Sequence, residues 1–304
     1  MTKINSSKKP RIMAIVGPTA SGKSDLAIKL AQKFDGEIIS ADSRQVYRGM
    51  DIGTGKVSKK EQRLAPHHLL DIANPKNIFT VAQFQKLAQQ AIKDILKRNK
   101  LPILVGGTGQ YIDTLIHNFN LPEVPPDYKL RAKLEKQTTE QLFKRLQKLD
   151  PQRAQNIDQH NPRRLIRALE IISSIGKVPP LNTSPVSPNT KYNVLWLGLN
   201  PKDLQKRITR RLIQRFHQGM IAEVKKLRKS GVSWKRLYDL GLEYRWISLY
   251  LQDKITLQEM KDNLYRAIVQ YSKRQMTWFK RNKEIHWLKT LNQAISLTTN
   301  FLDS

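Results

Sequence analysis

The segment Gly17-Pro18-Thr19-Ala20-Ser21-Gly22-Lys23-Ser24 restricts this chain more than any other. It fits G-x-x-x-x-G-K-[S/T], a pattern that carries meaning only between a strand and a helix. Both flanks are present. Ile12–Val16 is a short apolar run of the kind a buried strand needs. After it, Leu26, Ala27, Leu30, Ala31 and Phe34 recur at helical spacing from Ser24 onward. Glycines let the backbone curl until successive N–H groups point inward, and the helix N-terminus adds the positive end of its dipole. Lys23 supplies a point charge to bound phosphate, and the Ser24 hydroxyl suits Mg2+. The loop says phosphate without saying whose.

Further alternation sets the fold class. Glu37–Ser40 and Pro102–Val105 are short strand candidates, and Val81–Leu96 is a helix candidate with Phe84, Leu87, Ala88, Ala91, Ile92 and Ile95 on one face. Tyr192–Leu199 reads as a strand returning to the same sheet. The expectation is an α/β protein, a P-loop NTPase-like parallel sheet flanked by helices. After Asn120 the pattern changes: three prolines fall in Leu121–Asp127, and residues 129–176 offer helices and no strand. An all-helical insertion is therefore expected at 121–190, inside a core built from 1–120 and 191–304. Val178–Asn189, rich in Pro, Ser, Asn and Thr, is expected to be a mobile loop. Long helices are expected at about 202–229 and 257–282.

The charge points outward. Lys and Arg number 54 against 25 Asp and Glu, for a net charge of +29. A surplus of this size repels itself in a compact chain and favours a polyanionic partner. It is heaviest after residue 190. Between Leu204 and Lys229, the bases Lys206, Arg207, Arg210, Arg211, Arg215, Lys225, Lys226, Arg228 and Lys229 are set against one acid, Glu223. A helix facing only water mixes its signs, so polyphosphate is expected alongside this one. Near the C-terminus Trp278 and Phe279 interleave with bases and read as core anchors ahead of base-stacking platforms. The absence of cysteine excludes disulfides, thiolate metal sites and a cysteine nucleophile. No apolar run reaches bilayer length, and Met1–Arg11 lacks the apolar centre of a signal peptide. A cytoplasmic monomer is expected.

Nucleotide hydrolysis at a P-loop wants a second acid closing an apolar strand. Here Ile103–Val105 ends in Gly106-Gly107-Thr108-Gly109, and Asp71 sits in a short run behind Pro66. The second strand instead delivers Asp42-Ser43-Arg44-Gln45-Val46-Tyr47 to the edge that carries the P-loop, since both follow strand C-termini. Asp42 there reads as a general base or metal ligand, or as a plain helix cap with Ser43.

Together, GPTASGKS (17–24), ADSRQVYRGMDIGTGK (41–56), PHHLLDI (66–72), GGTGQYI (106–112), NPRRLIRALE (161–170), GMIAEVKKLRKSG (219–231) and YSKRQMTWFKR (271–281) resemble the bacterial tRNA dimethylallyltransferases, in family order across nearly the whole chain. The resemblance implies transfer of a dimethylallyl group from dimethylallyl diphosphate to the exocyclic amine of adenosine 37, just 3′ of the anticodon, in tRNAs reading codons that begin with U. It implies Asp42 as proton acceptor and Thr19 beside the reacting carbon. Lys23, Ser24 with Mg2+, and Arg207 and Arg211 would then steady the departing diphosphate. Asp42, Ser43, Arg44, Gln45, Thr108, Arg131, Arg163, Arg164, Leu165, Ile166 and Arg167 match family positions that touch the anticodon stem-loop. Three departures stand out: Ser24 replaces the commoner Thr, Gln110 the usual Leu, and Leu240–Arg245 the usual Ile-Gly-Tyr-Lys-Glu. The alternatives are a sister enzyme that prenylates free adenine nucleotides, a P-loop kinase of small molecules, and a non-catalytic RNA binder.

Overall fold

β1 (Arg11–Val16) is the apolar run ahead of the glycine-rich loop, and five of its six residues are buried. Continuous burial of this kind marks a strand covered on both faces. The computed structural model describes residues 9–122, 124–179 and 190–304; the expected mobile loop lies, from residue 180 on, outside them. The chain divides into two compact units, Met1–Asn118 with Pro188–Ser304, and Phe119–Ser187.

In the first unit β1 is followed by α1 (Lys23–Lys33), β2 (Gly36–Ser40), a single turn α2 (Lys59–Gln62), β3 (His67–His68), α3 (Val81–Lys97), β4 (Leu101–Gly106) and α4 (Gly109–Ile116). The second unit holds α5 (Tyr128–Leu134), α6 (Thr139–Leu149), α7 (Pro151–Gln155) and α8 (Pro162–Ile175). The chain then adds β5 (Asn193–Gly198), α9 (Leu204–His217), α10 (Met220–Lys229), α11 (Trp234–Leu240), α12 (Leu242–Tyr250), α13 (Leu257–Phe279), β6 (His286–Trp287) and α14 (Leu291–Asp303) to the first unit.

The six strands form one sheet in the order β3-β2-β4-β1-β5-β6, and every pairing is parallel. This is the expected α/β class. The strand period of two splits β1 between the faces. Ile12, Ala14 and Val16 join Phe84, Ile92, Ile112 and Leu115 of α3 and α4 on one side. Met13 and Ile15 join Leu26 and Leu30 of α1 and Ala294 of α14 on the other. α3 starts at Thr80, whose side chain and that of Gln83 satisfy each other's backbone N–H in a capping box. A third cluster, with Leu212, Val224, Leu237, Ile247 and Leu264, closes the C-terminal helices on one another.

Two corrections follow. The helix expected at 202–229 is two helices, because Gly219 adopts φ 93° between α9 and α10, a left-handed conformation that glycine enters at little cost. β3 and β6, of two residues each, were not expected, being too short to show any period.

Because the strands are parallel, β1, β2 and β4 release the chain at one edge, leading into residues 17–24, 41–47 and 107–109. In open α/β sheets that edge is where ligands bind.

Candidate active site

The loop after β1 bends through unusual conformations: Gly17 lies at φ 143°, Gly22 at 95°, and Ala20, a residue with a Cβ, at 61°. A left-handed non-glycine residue costs of order 1–3 kcal/mol and persists where its surroundings enforce it. Lys23 folds back over the loop it follows, its Nζ donating to the Pro18 carbonyl at 2.6 Å. Desolvation pushes its pKa down to about 7; the Asp42 carboxylate opposes this, and the Arg211 guanidinium adds to the depression. Burial thus outweighs the one carboxylate that acts on this cation.

Asp42 leaves the end of β2 and turns the chain. Its Oδ1 accepts the N–H groups of Arg44 at 2.8 Å and Gln45 at 3.2 Å. The plain reading as a helix cap is thus half right: the carboxylate caps a turn, and no helix follows. Oδ2 accepts nothing from any described residue. The neighbouring Ser43 N–H donates to Thr108 Oγ1 at 3.2 Å, so the loops after β2 and β4 are joined beside Asp42. Gln45 Oε1 accepts a long bond from Ser40 Oγ at 3.3 Å. Asp71, the other acid considered, is taken by Lys56 at 2.5 Å.

α9 contributes unequally. Arg211 is largely enclosed and makes no hydrogen bond or ion pair with a described residue; desolvation first, and then the adjacent Arg215, lower its pKa. Arg207 is exposed and held by Asp203 at 2.7 Å. Electrostatic interaction joins Lys23 to Asp42 and Arg211 beside the loop that carries Thr19, and Arg207 is the exposed member of the set.

Several residues here escaped the sequence reading. Glu223, the lone acid among the bases, accepts the N–H groups of Asp51, Ile52 and Gly53 at 2.8, 2.7 and 3.1 Å and the Tyr244 hydroxyl at 2.9 Å. Arg215 spans the Gly53 carbonyl and Glu243, both at 3.1 Å. Burial pushes the Glu243 carboxyl up, against the pull of Arg215. The departure segment 240–245 thus anchors the loop at 51–55. Glu223 did carry a signal, its sign. Gln275 carried none: it accepts the Thr19 N–H at 2.8 Å and donates to the Gly107 carbonyl at 2.9 Å. Gln110 is exposed on α4.

Within the second unit, Glu170 is buried and draws in Arg131 through two bonds of 2.8 Å, Arg167 through a short one, and the Asp127 N–H at 2.7 Å. Arg167 also donates to the Val124 carbonyl at 2.9 Å. Arg163 and Arg164 are exposed. Leu165 and Ile166 are core residues, 0% and 8% exposed, so their side chains are not offered to solvent.

Fold and cradle together define a P-loop α/β protein in which the Asp42 carboxylate acts on the lysine of the loop. A family model described as IPP transferase matches residues 45–282. The tRNA dimethylallyltransferase of Pelotomaculum thermopropionicum is 42% identical over 293 residues, covering 94% of this chain and 93% of its own. That of Alkaliphilus oremlandii is 40% identical over 290 residues, with 93% of each chain covered. The crystal structure of the full-length tRNA isopentenylpyrophosphate transferase from Bacillus halodurans superposes with a TM-score of 0.70 at 40% identity, covering 97% of this chain and 96% of that one. A eukaryotic dimethylallyltransferase acting on tRNA superposes with a TM-score of 0.81 at 27% identity, covering 97% of this chain and 80% of its own. The chain belongs to the IPP transferase family.

Proposed function

We propose that this protein transfers the dimethylallyl group of dimethylallyl diphosphate to the exocyclic N6 amine of adenosine 37 in tRNA, releasing diphosphate. The observation that carries the reading is an imbalance at the sheet edge. Among the described residues, Lys23 and Arg211 lack direct ion-pair partners, beside a carboxylate with one oxygen unused. A diphosphate supplies the missing negative charge, and an amine supplies the missing proton.

The N6 nitrogen attacks the allylic carbon attached to oxygen, the carbon–oxygen bond breaks, and its electron pair leaves with the diphosphate. Asp42 Oδ2 takes the proton that N6 sheds, as general base. Lys23, Arg211 and the loop N–H groups lie where negative charge gathers, which lowers the barrier most when they are organised beforehand. The Ser24 hydroxyl is engaged by no described residue, and no cluster of three or more acidic, His or Cys side chains stands ready for a metal among the described residues. That donor set fits Mg2+, which keeps its waters and binds mainly through substrate phosphates. When bound, the ion neutralises charge on the departing diphosphate.

The adenine must leave the anticodon stack to reach Asp42, and Ser43, Arg44, Gln45 and Thr108 surround that acid. Arg131, Arg163, Arg164 and Arg167 serve the anticodon stem-loop as phosphate contacts, which position without specifying sequence. The protein works as a cytoplasmic monomer on tRNAs reading codons that begin with U. No described helix is long and apolar enough to cross a membrane.

Incubation with dimethylallyl diphosphate, Mg2+ and unmodified tRNA, followed by nucleoside mass analysis, tests the reading. Prenylated adenosine at position 37 is expected. Prenylation of free AMP in place of tRNA, or ATP turnover without a prenyl donor, would overturn it.

A further inference from the structure

Tyr271, Gln275 and Trp278 are spaced four and three residues apart, so they share one face of α13. That face covers three successive residues of the loop after β4. Gln275 donates to the Gly107 carbonyl at 2.9 Å, the Tyr271 hydroxyl faces the Thr108 side chain, and the Trp278 ring lies where a Cβ at Gly109 would have to sit. The Trp278 indole N–H is fixed in turn by Asp113 Oδ2 at 2.8 Å. Only Gln275 also reaches the phosphate loop, accepting the Thr19 N–H at 2.8 Å.

Both ends of this amide are therefore assigned: the oxygen must face an N–H and the nitrogen a carbonyl. Gln275 is 6% exposed, and a primary amide buried in mid-helix is costly unless both ends are bonded. An apolar side chain would fill the space without linking anything. The link completes a path: Thr19 to Gln275, Gln275 to Gly107, and from the adjacent Thr108 to Ser43 at 3.2 Å, the residue next to Asp42.

We propose that Gln275 is a positioning residue for the transfer step: one buried amide fixes the separation between the diphosphate cradle and the loop that carries the base. It touches neither reactant and acts through Thr19 and Gly107. The inference rests on the proposed roles of the cradle and Asp42. A reaction that needs three groups aligned loses about 100-fold for a displacement of roughly 1 Å.

The test uses the full chain in single-turnover transfer, with dimethylallyl diphosphate and an anticodon stem-loop. Gln275→Met keeps length and removes both hydrogen bonds; Gln275→Glu keeps an acceptor for Thr19 and loses the donor to Gly107. Gln275→Met is expected to transfer about 100-fold more slowly, with KM for the donor and stem-loop affinity changed by no more than about threefold, because binding and transition-state terms separate in this way. Gln275→Glu is expected to fall between it and the unaltered protein. A folded variant of either kind that transfers at the original rate overturns the proposal, as does a loss confined to KM. Asp42→Asn is run in parallel. Loss of transfer there with no effect at Gln275 sinks the positioning role alone, whereas unimpaired transfer by Asp42→Asn sinks the underlying site and this inference with it.

Discussion

Two charged clusters lie in the two units of this molecule, and they are built on opposite plans. In the insertion, Glu170 satisfies two arginines and a backbone N–H, and every strong charge in the group has a partner in the same unit. At the sheet edge, Lys23 and Arg211 make no direct ion pair with a described residue, and Asp42 keeps an oxygen open to the described residues. Both arrangements are costly to desolvate. The first recovers that cost within the protein, and its product is a fixed shape. The second leaves it outstanding, and a ligand of opposite charge recovers it on binding. Closed clusters hold the scaffold, and open ones hold substrate.

Breaking the open cluster should have the largest effect. Asp42→Asn keeps the turn, since the amide oxygen still accepts from Arg44 and Gln45, and removes only the base. We expect transfer to fall about 1,000-fold, within the range for loss of a positioned general base, with stem-loop affinity measured by filter binding unchanged. An equal fall in affinity would mean that Asp42 binds RNA and does not move the proton.

Breaking the closed cluster should cost stability instead. Burial alone would raise the Glu170 carboxyl, but the bonds from Arg131, Arg167 and the Asp127 N–H outweigh it and hold the pKa below its ordinary 4.5. A depressed carboxylate stabilises the fold above the unfolded-state value, and the contribution is lost as pH falls through the lower folded-state value. Acid should therefore loosen α5 and α8 below about pH 4.5, the ordinary carboxylate value. Glu170→Gln should bring the same loosening at neutral pH, by roughly 1.5 kcal/mol, because it removes charge-assisted bonds to two partly exposed cations. Hydrogen exchange of residues 128–134 and 162–175 against that of the sheet measures it. Equal protection in both forms would show the cluster to be ornamental.

The same contrast explains what could be read from the chain beforehand. The strand–loop–helix at 11–33 was legible because burial on both faces demands an unbroken apolar run, and the glycines of the cradle are close in sequence. Arg211 was marked by the one-sign loading of its helix, although nothing local separated it from Arg207. Gln275 was invisible because its partner Thr19 lies 256 residues away and a lone helical amide has no distinctive context. Closure of Glu170 on Arg131 and Arg167 was hidden in the same way. Charge in a sequence shows where cations are, and only packing shows which are already spoken for.

Arg211 and Arg207 sharpen the comparison within one helix, with a smaller effect. Arg211→Gln should weaken inorganic diphosphate binding about 30-fold by calorimetry, close to 2 kcal/mol, as expected for one charge-assisted bond. Arg207→Gln should change it by less than about twofold, since an exposed pair such as Arg207–Asp203 is worth little. Equal losses would place both side chains on the leaving group.

The smallest effect should come from the exposed arginines of the insertion. Arg163 and Arg164 sit at the start of α8, outside the Glu170 cluster, with Leu165 and Ile166 behind them in the core. Because Glu170 occupies part of the hydrogen-bonding capacity of Arg131 and Arg167, the uncommitted charge of this unit lies chiefly in the exposed pair. Replacing both with Gln should weaken stem-loop binding to the same degree for matched and mismatched anticodon sequences, since phosphate contacts carry no base information. The slope of log affinity against log salt should flatten by about two units, one per lost contact. The transfer rate at saturating tRNA should stay unchanged, because neither guanidinium belongs to the cradle. A changed sequence preference with an unaltered salt slope would instead make them readers of bases.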